Sequence, residues 1–201
     1  MSSSFDSEAG SEFSIEETNA ETQMDLEKEN EENEKNKNED LIKIISENLN
    51  IILEQNKKLP DYKEIIENQS QKIFSADRIP QIPIYDYLSR IQSYVFMERS
   101  TLIIALIFID KICDTAEITL TYYNIHRILL AAVILAIKCN EDSFYDNKYY
   151  SEVGGVKVKE LKLIEYNFLV SVNFNLFVSN EVYENYCHYL ENYKSKNHSE
   201  E

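Results

Sequence analysis

YYNIHRILLAAVILAIKC, residues 122–139, decides the fold. From Ile128 to Ile137 every side chain is apolar, so a helix here is hydrophobic nearly all round, the pattern of a central helix enclosed by others. The run is about half the ~20 residues that a bilayer requires, which predicts a core helix and not a membrane span. Arg99 to Ile112, with Leu102 to Ile109 unbroken, reads the same way.

Outward from this pair the patterns become amphipathic. Ile84 to Phe96 places Ile84, Tyr87, Leu88, Ile91 and Val95 on one face, after Ile79-Pro80-Gln81-Ile82-Pro83 holds the chain extended. Lys157 to Val172 carries Leu161, Ile164, Phe168 and Leu169. Asn180 to Tyr193 carries Val182, Tyr183, Tyr186 and Leu190 behind Ser179 as N-cap. Asp146 to Glu152 is a short helix closed by Gly154-Gly155. Upstream, Leu41, Ile45, Leu49 and Ile52 form one stripe, and Tyr62, Ile65, Ile66, Gln69 and Ile73 form another, started by Pro60-Asp61.

Only 3 Gly and 3 Pro in 201 residues argue against a turn-rich β fold and glycine-loop nucleotide sites, so the class is all-α. The formal net charge is −16, unevenly spread: residues 1–40 hold 14 acids and 3 bases, which leaves 22 acids and 17 bases for the rest. That first segment has few large apolar side chains and is expected to be a disordered acidic tail, either simply solubilising or a regulatory or targeting segment. No basic, aromatic-interleaved stripe suggests nucleic-acid binding. The amino end lacks the apolar core of a signal peptide, and Cys113, Cys139 and Cys187 suit reduced core thiols, so an intracellular protein, in nucleus or cytoplasm, is expected.

No phosphate loop, paired histidines on a helix face or cysteine pair at metal spacing is present, so neither enzyme, cofactor nor metal is expected. His126, His188 and His198 read as satisfied or solvated. What needs explaining is a set of charges on apolar helix surfaces, each requiring a partner. Arg90 and Asp110 are expected to pair as an internal lock, with a local Arg90–Asp86 pair as the alternative. Lys138 ends the central run and is either a helix C-terminal cation bonded to Glu141 or Asp142, or part of a docking surface. Glu165 interrupts its stripe and is either a boundary residue facing solvent or the other half of that surface.

Tyr87-Leu88-Ser89-Arg90-Ile91, Leu106 to Lys111, Ile125 to Leu129 leading to Ala136-Ile137-Lys138, and then Asp146 to Val156, Lys159-Glu160-Leu161, Leu163-Ile164-Glu165 and Phe168-Leu169 resemble a cyclin box. The part from Asp146 to Leu169 resembles the P/U-type cyclins, the group related to the fungal phosphate-signalling cyclin. The resemblance covers residues 79–193 and implies a five-helix cyclin box there, beside the flanking helices over 41–78, the tail over 1–40 and a polar end over 194–201 read from stripes and composition. The flanking helices could pack on the box or touch a kinase. Lys111 stands where the family commonly has Arg. Lys138 and Glu165 match the family's kinase-contacting Lys and Glu, and Arg90 and Asp110 its buried pair. The implied activity is regulatory: activation of a cyclin-dependent serine/threonine kinase in division or nutrient signalling, without nucleic acid, membrane or small-molecule cofactor. Asp142, in an exposed acidic turn, is expected either to be simply solvated or to meet a basic group near the kinase activation segment. The competing reading is a cyclin-fold adaptor for a non-kinase partner, since fold alone does not fix function.

Overall fold

The computed structural model describes residues 38–67 and 69–197. The chain divides into Met1–Asn38 and a compact unit of Glu39–Glu201, and the architecture below is that of the second. Residues 1–37 of the expected tail (1–40) and 198–201 of the expected polar end (194–201) lie outside the described residues, whereas 194–197, expected as part of that end, continue the last helix.

Residues 39–56 lie in helix α1, so Glu39 and Asp40 are already helical ahead of the expected start at Leu41. Leu41, Ile45, Leu49 and Leu53 are buried, and Tyr85 and Tyr122 donate to Glu39 and Glu54, strapping both ends of the helix down. Burial pushes the Tyr122 phenol up to about 12, and the carboxylate of Glu54 adds to that. The second upstream helix differs from expectation. It splits into α2 (Tyr62–Glu67), which has no buried residue, and a 3₁₀ turn (Gln69–Phe74) whose anchor is the buried Phe74, outside the expected stripe. Ile65 and Ile66 are only half-buried, so little packing holds the α geometry there.

The remaining helices are α3 (Ile84–Val95), α4 (Arg99–Ala116), α5 (Ile125–Asn140), α6 (Asn147–Gly154), α7 (Val158–Ser171) and α8 (Asn180–Asn197). Helix α5 is the axis: all its residues from Ile128 to Ile137 are buried, against α4 on one side and α7 on the other. At about 1.5–3 kcal/mol per large aliphatic side chain, this packing dominates the fold. Helix α5 starts at Ile125, later than the pattern suggests, because buried Asn124 is engaged in the preceding turn. Its amide donates to Thr119 O and accepts from Thr121 N. Helix α3 ends at Phe96, whose φ of 53° reverses the chain.

Helix α6 is capped by Asp146, which accepts from Tyr149 N at 2.9 Å, and Gly155 closes it at φ 69°. Gly154 permits α6 to reach α5: a Cβ there would stand 2.5 Å from Leu130 Cδ2. Helix α8 lies on α4 through half-buried Tyr183 and Tyr186 and buried Leu190, while Val182, expected on that face, is exposed. Ser179 Oγ accepts from Val182 N and so caps α8 as expected.

Candidate partner-docking site

The apolar run of α5 ends where its last turn meets the N-terminus of α6 and the middle of α7. The three charged and polar side chains at that junction close on one another. Lys138 Nζ donates to Glu165 Oε1 at 2.5 Å and to Asn147 Oδ1 at 2.8 Å, and Asn147 Nδ2 donates to Glu165 Oε2 at 2.8 Å. The side chains of Lys138 and Glu165 are 23% and 13% exposed, so the pair is shielded without being sealed. An ammonium has three protons and two are used here. Each carboxylate oxygen keeps a free lone pair. The triad is therefore satisfied alone and still has one donor and acceptor sites to offer.

Lys138 and Glu165 thus meet directly: Lys138 does not pair with Glu141 or Asp142, and Glu165 is not a solvated boundary residue. Sequence reasoning missed Asn147. Nine positions from Lys138 and eighteen from Glu165, it gave no periodic signal of its place between them. A second ion pair ties the same two helices, Arg127 to Glu160, with Arg127 Nη1 also donating to Ser75 O at 2.6 Å.

The triad borders a cavity of about 500 Å³ lined by Phe144, Tyr145, Lys148, Val158 and Lys162. Phe144 is 58% exposed, and Tyr145 stacks on Tyr149 at 4.3 Å between ring centres. Asp142 is exposed in the acidic turn beyond α5 and lines a neighbouring cavity of about 440 Å³ with Phe96, Glu98 and Glu141. Glu141 has an internal role, accepting from Glu98 N and Thr101 Oγ1 across to the start of α4.

The Arg90–Asp110 lock is not formed. Arg90 is exposed and its Nη2 reaches Glu152 O at 3.5 Å, the alternative Asp86 pair being absent as well. Asp110 is turned toward α8, where Tyr186 donates to its Oδ2 at 2.6 Å. The reason is rotational: Arg90 is on the face of α3 turned to solvent and α6, and Asp110 is on the α8 face of α4. Burial pushes the Asp110 carboxyl above its ordinary 3.8, with the Tyr186 bond opposing and nearby Asp114 adding to the rise. Burial and Asp110 in turn raise the Tyr186 phenol. Burial also pushes the Cys113 thiol up to about 12, whereas Cys139, expected in the core, is exposed at the end of α5. His126 Nε2 bonds Ile82 O at 2.8 Å, and burial lowers the imidazole's pKa despite that bond. Among the described residues no group of three or more His, Cys, Asp or Glu is placed to hold a metal, and no helix is long and apolar enough to cross a membrane.

The family profile described as cyclin matches residues 13–176, more than half of the chain. The chain belongs to the cyclin family. Within it, the similarity is to the P and U types. Cyclin-U2-2 of Arabidopsis thaliana is 37% identical over 123 residues, 60% of this chain and 53% of that one. Cyclin-U4-1 of the same plant is 31% identical over 154 residues, 75% of this chain and 74% of that one. The PHO85 cyclin-like protein psl1 of Schizosaccharomyces pombe is 40% identical over 111 residues, 54% of this chain and 46% of that one. The chain spans about half the length of the first and third of these relatives. As a cyclin it has a regulatory role.

Proposed function

We propose that this cyclin is the activating subunit of a cyclin-dependent serine/threonine kinase, and that Lys138, Glu165 and Asp142 face the kinase. The observation that carries the reading is the self-satisfied Lys138–Asn147–Glu165 triad beside an open, aromatic-rimmed cavity. A charged cluster that needed only internal stability would be as well served by apolar packing. One that keeps a free ammonium proton and free carboxylate lone pairs at a cavity rim can bond a second chain.

A kinase of this class is off when its C-helix is swung out, since the helix glutamate then misses the lysine that positions ATP. Moving that equilibrium from 1:99 to 99:1 requires about 5.5 kcal/mol of preference for the active form. An interface of about 1,600 Å² with a few desolvated anchors supplies that. Lys138 and Glu165 would bond groups flanking the C-helix, Phe144 and Tyr145 would exclude water, and Asp142 would meet a basic group near the activation segment. A role in division or nutrient-linked signalling is part of this proposal.

The test is affinity purification of the tagged chain from cells that express it, with partners identified by mass and kinase activity assayed in the eluate. Wild type is expected to bring down a cyclin-dependent kinase, and Lys138→Ala/Glu165→Ala, verified as folded by circular dichroism, to lose it. Recovery of a non-kinase protein alone would replace this reading with an adaptor.

A further inference from the structure

We infer that the docking face has a built-in polarity, a basic groove and an acidic groove separated by an aromatic ridge, and that it fits a kinase segment carrying an acidic and a basic group on either side of an apolar stretch. The inference rests on the kinase-subunit reading and specifies the chemistry of the partner. The two cavities beside the triad share the same wall: Phe144 and Tyr145 line both. On one side, Lys148 and Lys162 are exposed, and neither ammonium is in an ion pair among the described residues. Asp146, the exposed cap of α6, offsets one of these charges, and Lys138 is neutralised by Glu165, which leaves the groove net positive. On the other side stand Glu98, Glu141 and Asp142, with no cation among the lining residues. Glu98 and Glu141 are held by internal bonds to Ser100 and Thr101, while Asp142 has no partner among the described residues.

The basic groove runs against the character of the chain. Beyond residue 40 the chain carries 22 acids against 17 bases, so a cavity lined by three lysines and a single carboxylate is not the average surface. The ridge supplies apolar area: Phe144 and Tyr145 are large, exposed aromatics, the type of residue that anchors interfaces. Opposed charges on either side of such an anchor fix orientation, because a segment docked in reverse brings like charges together.

The experiment uses the kinase identified by the purification above, produced recombinantly and titrated onto the full chain with Asp142→Lys, with Lys162→Glu, and with both. The singles shift net charge in opposite directions and the double leaves it unchanged. Polarity predicts that each single weakens binding about tenfold, and the double more than either, all less so at high salt. Opposite effects of the two singles, with a wild-type double, would reduce the face to a net-charge effect and overturn the inference while leaving the kinase reading intact. Equal binding by all variants overturns it as well. Failure of wild type to bind any cyclin-dependent kinase removes the kinase reading and the polarity with it.

Discussion

Two carboxylates are set into apolar helix surfaces of this cyclin, and they are handled differently. Glu165 on α7 has a cation and an amide, and the three groups bridge α5, α6 and α7. Asp110 on α4 has no cation among the described residues; its bond comes from the phenol of Tyr186, and burial holds its carboxyl above the ordinary range. The full ion pair stands at an open cavity and the phenol clasp under the edge of α8. A charge that has to stay charged at the surface keeps its counter-ion, whereas one that only fastens two helices can do so with a neutral donor, at the cost of a desolvated carboxylate.

The difference breaks most visibly at Lys138. Lys138→Ala leaves Glu165, 13% exposed, without its cation and should cost about 2–3 kcal/mol in denaturant titrations, as well as kinase binding. Lys138→Met/Glu165→Leu should regain most of that stability because no unpaired charge remains, while binding stays lost. A double variant that binds normally would remove the triad from the interface. Gly154→Ala tests the support of the triad. Its Cβ would overlap the methyl groups of buried Leu130, so either that side chain repacks against the core or α6, with Asn147 at its start, moves. About 1–3 kcal/mol of stability should go, with a smaller loss of binding.

The legibility of these features in the sequence followed their periodicity. The stripes at Ile84–Val95 and Leu161–Phe168 and the run at Ile128–Ile137 placed α3, α7 and α5, because apolar spacing reports directly which face is buried. Lys138 and Glu165 stood out for the same reason, as charges interrupting such faces. Their partners did not. Asn147 and Tyr186 are polar residues at ordinary positions, and what each touches depends on how helices are rotated about one another, which a single sequence does not encode locally. The Arg90–Asp110 expectation failed on that rotation, each being on a different face of the box. The α2 region failed on length: a half-buried stripe with its anchor at Phe74 was too weak to hold one continuous helix.

The clasp gives the smaller effects. Tyr186→Phe keeps the ring and its packing but removes the only hydrogen bond to the Asp110 side chain among the described residues, which should cost about 1–2 kcal/mol at neutral pH. The loss should shrink on acidification, because a protonated Asp110 no longer demands a donor so strongly. If instead the variant were as stable as wild type at neutral pH, the phenol would be a passenger and the contrast with the triad would disappear.

Asp110→Asn should act in the other direction. The folded state raises the pKa of Asp110, so it binds the proton more tightly than the unfolded chain does. Stability therefore falls as pH rises from the ordinary value of 3.8 through the folded value, and the penalty is fully present at neutral pH. Asparagine retains an oxygen to accept from Tyr186 and carries no charge to desolvate. The variant should be equal to or up to about 1 kcal/mol more stable than wild type at neutral pH, with a flatter stability profile across the acidic range. Kinase binding should be unaffected, since α8 and the triad share no side chain. A variant that is destabilised at neutral pH would mean that the negative charge itself fastens α8, and that both carboxylates of this fold are used in the same way.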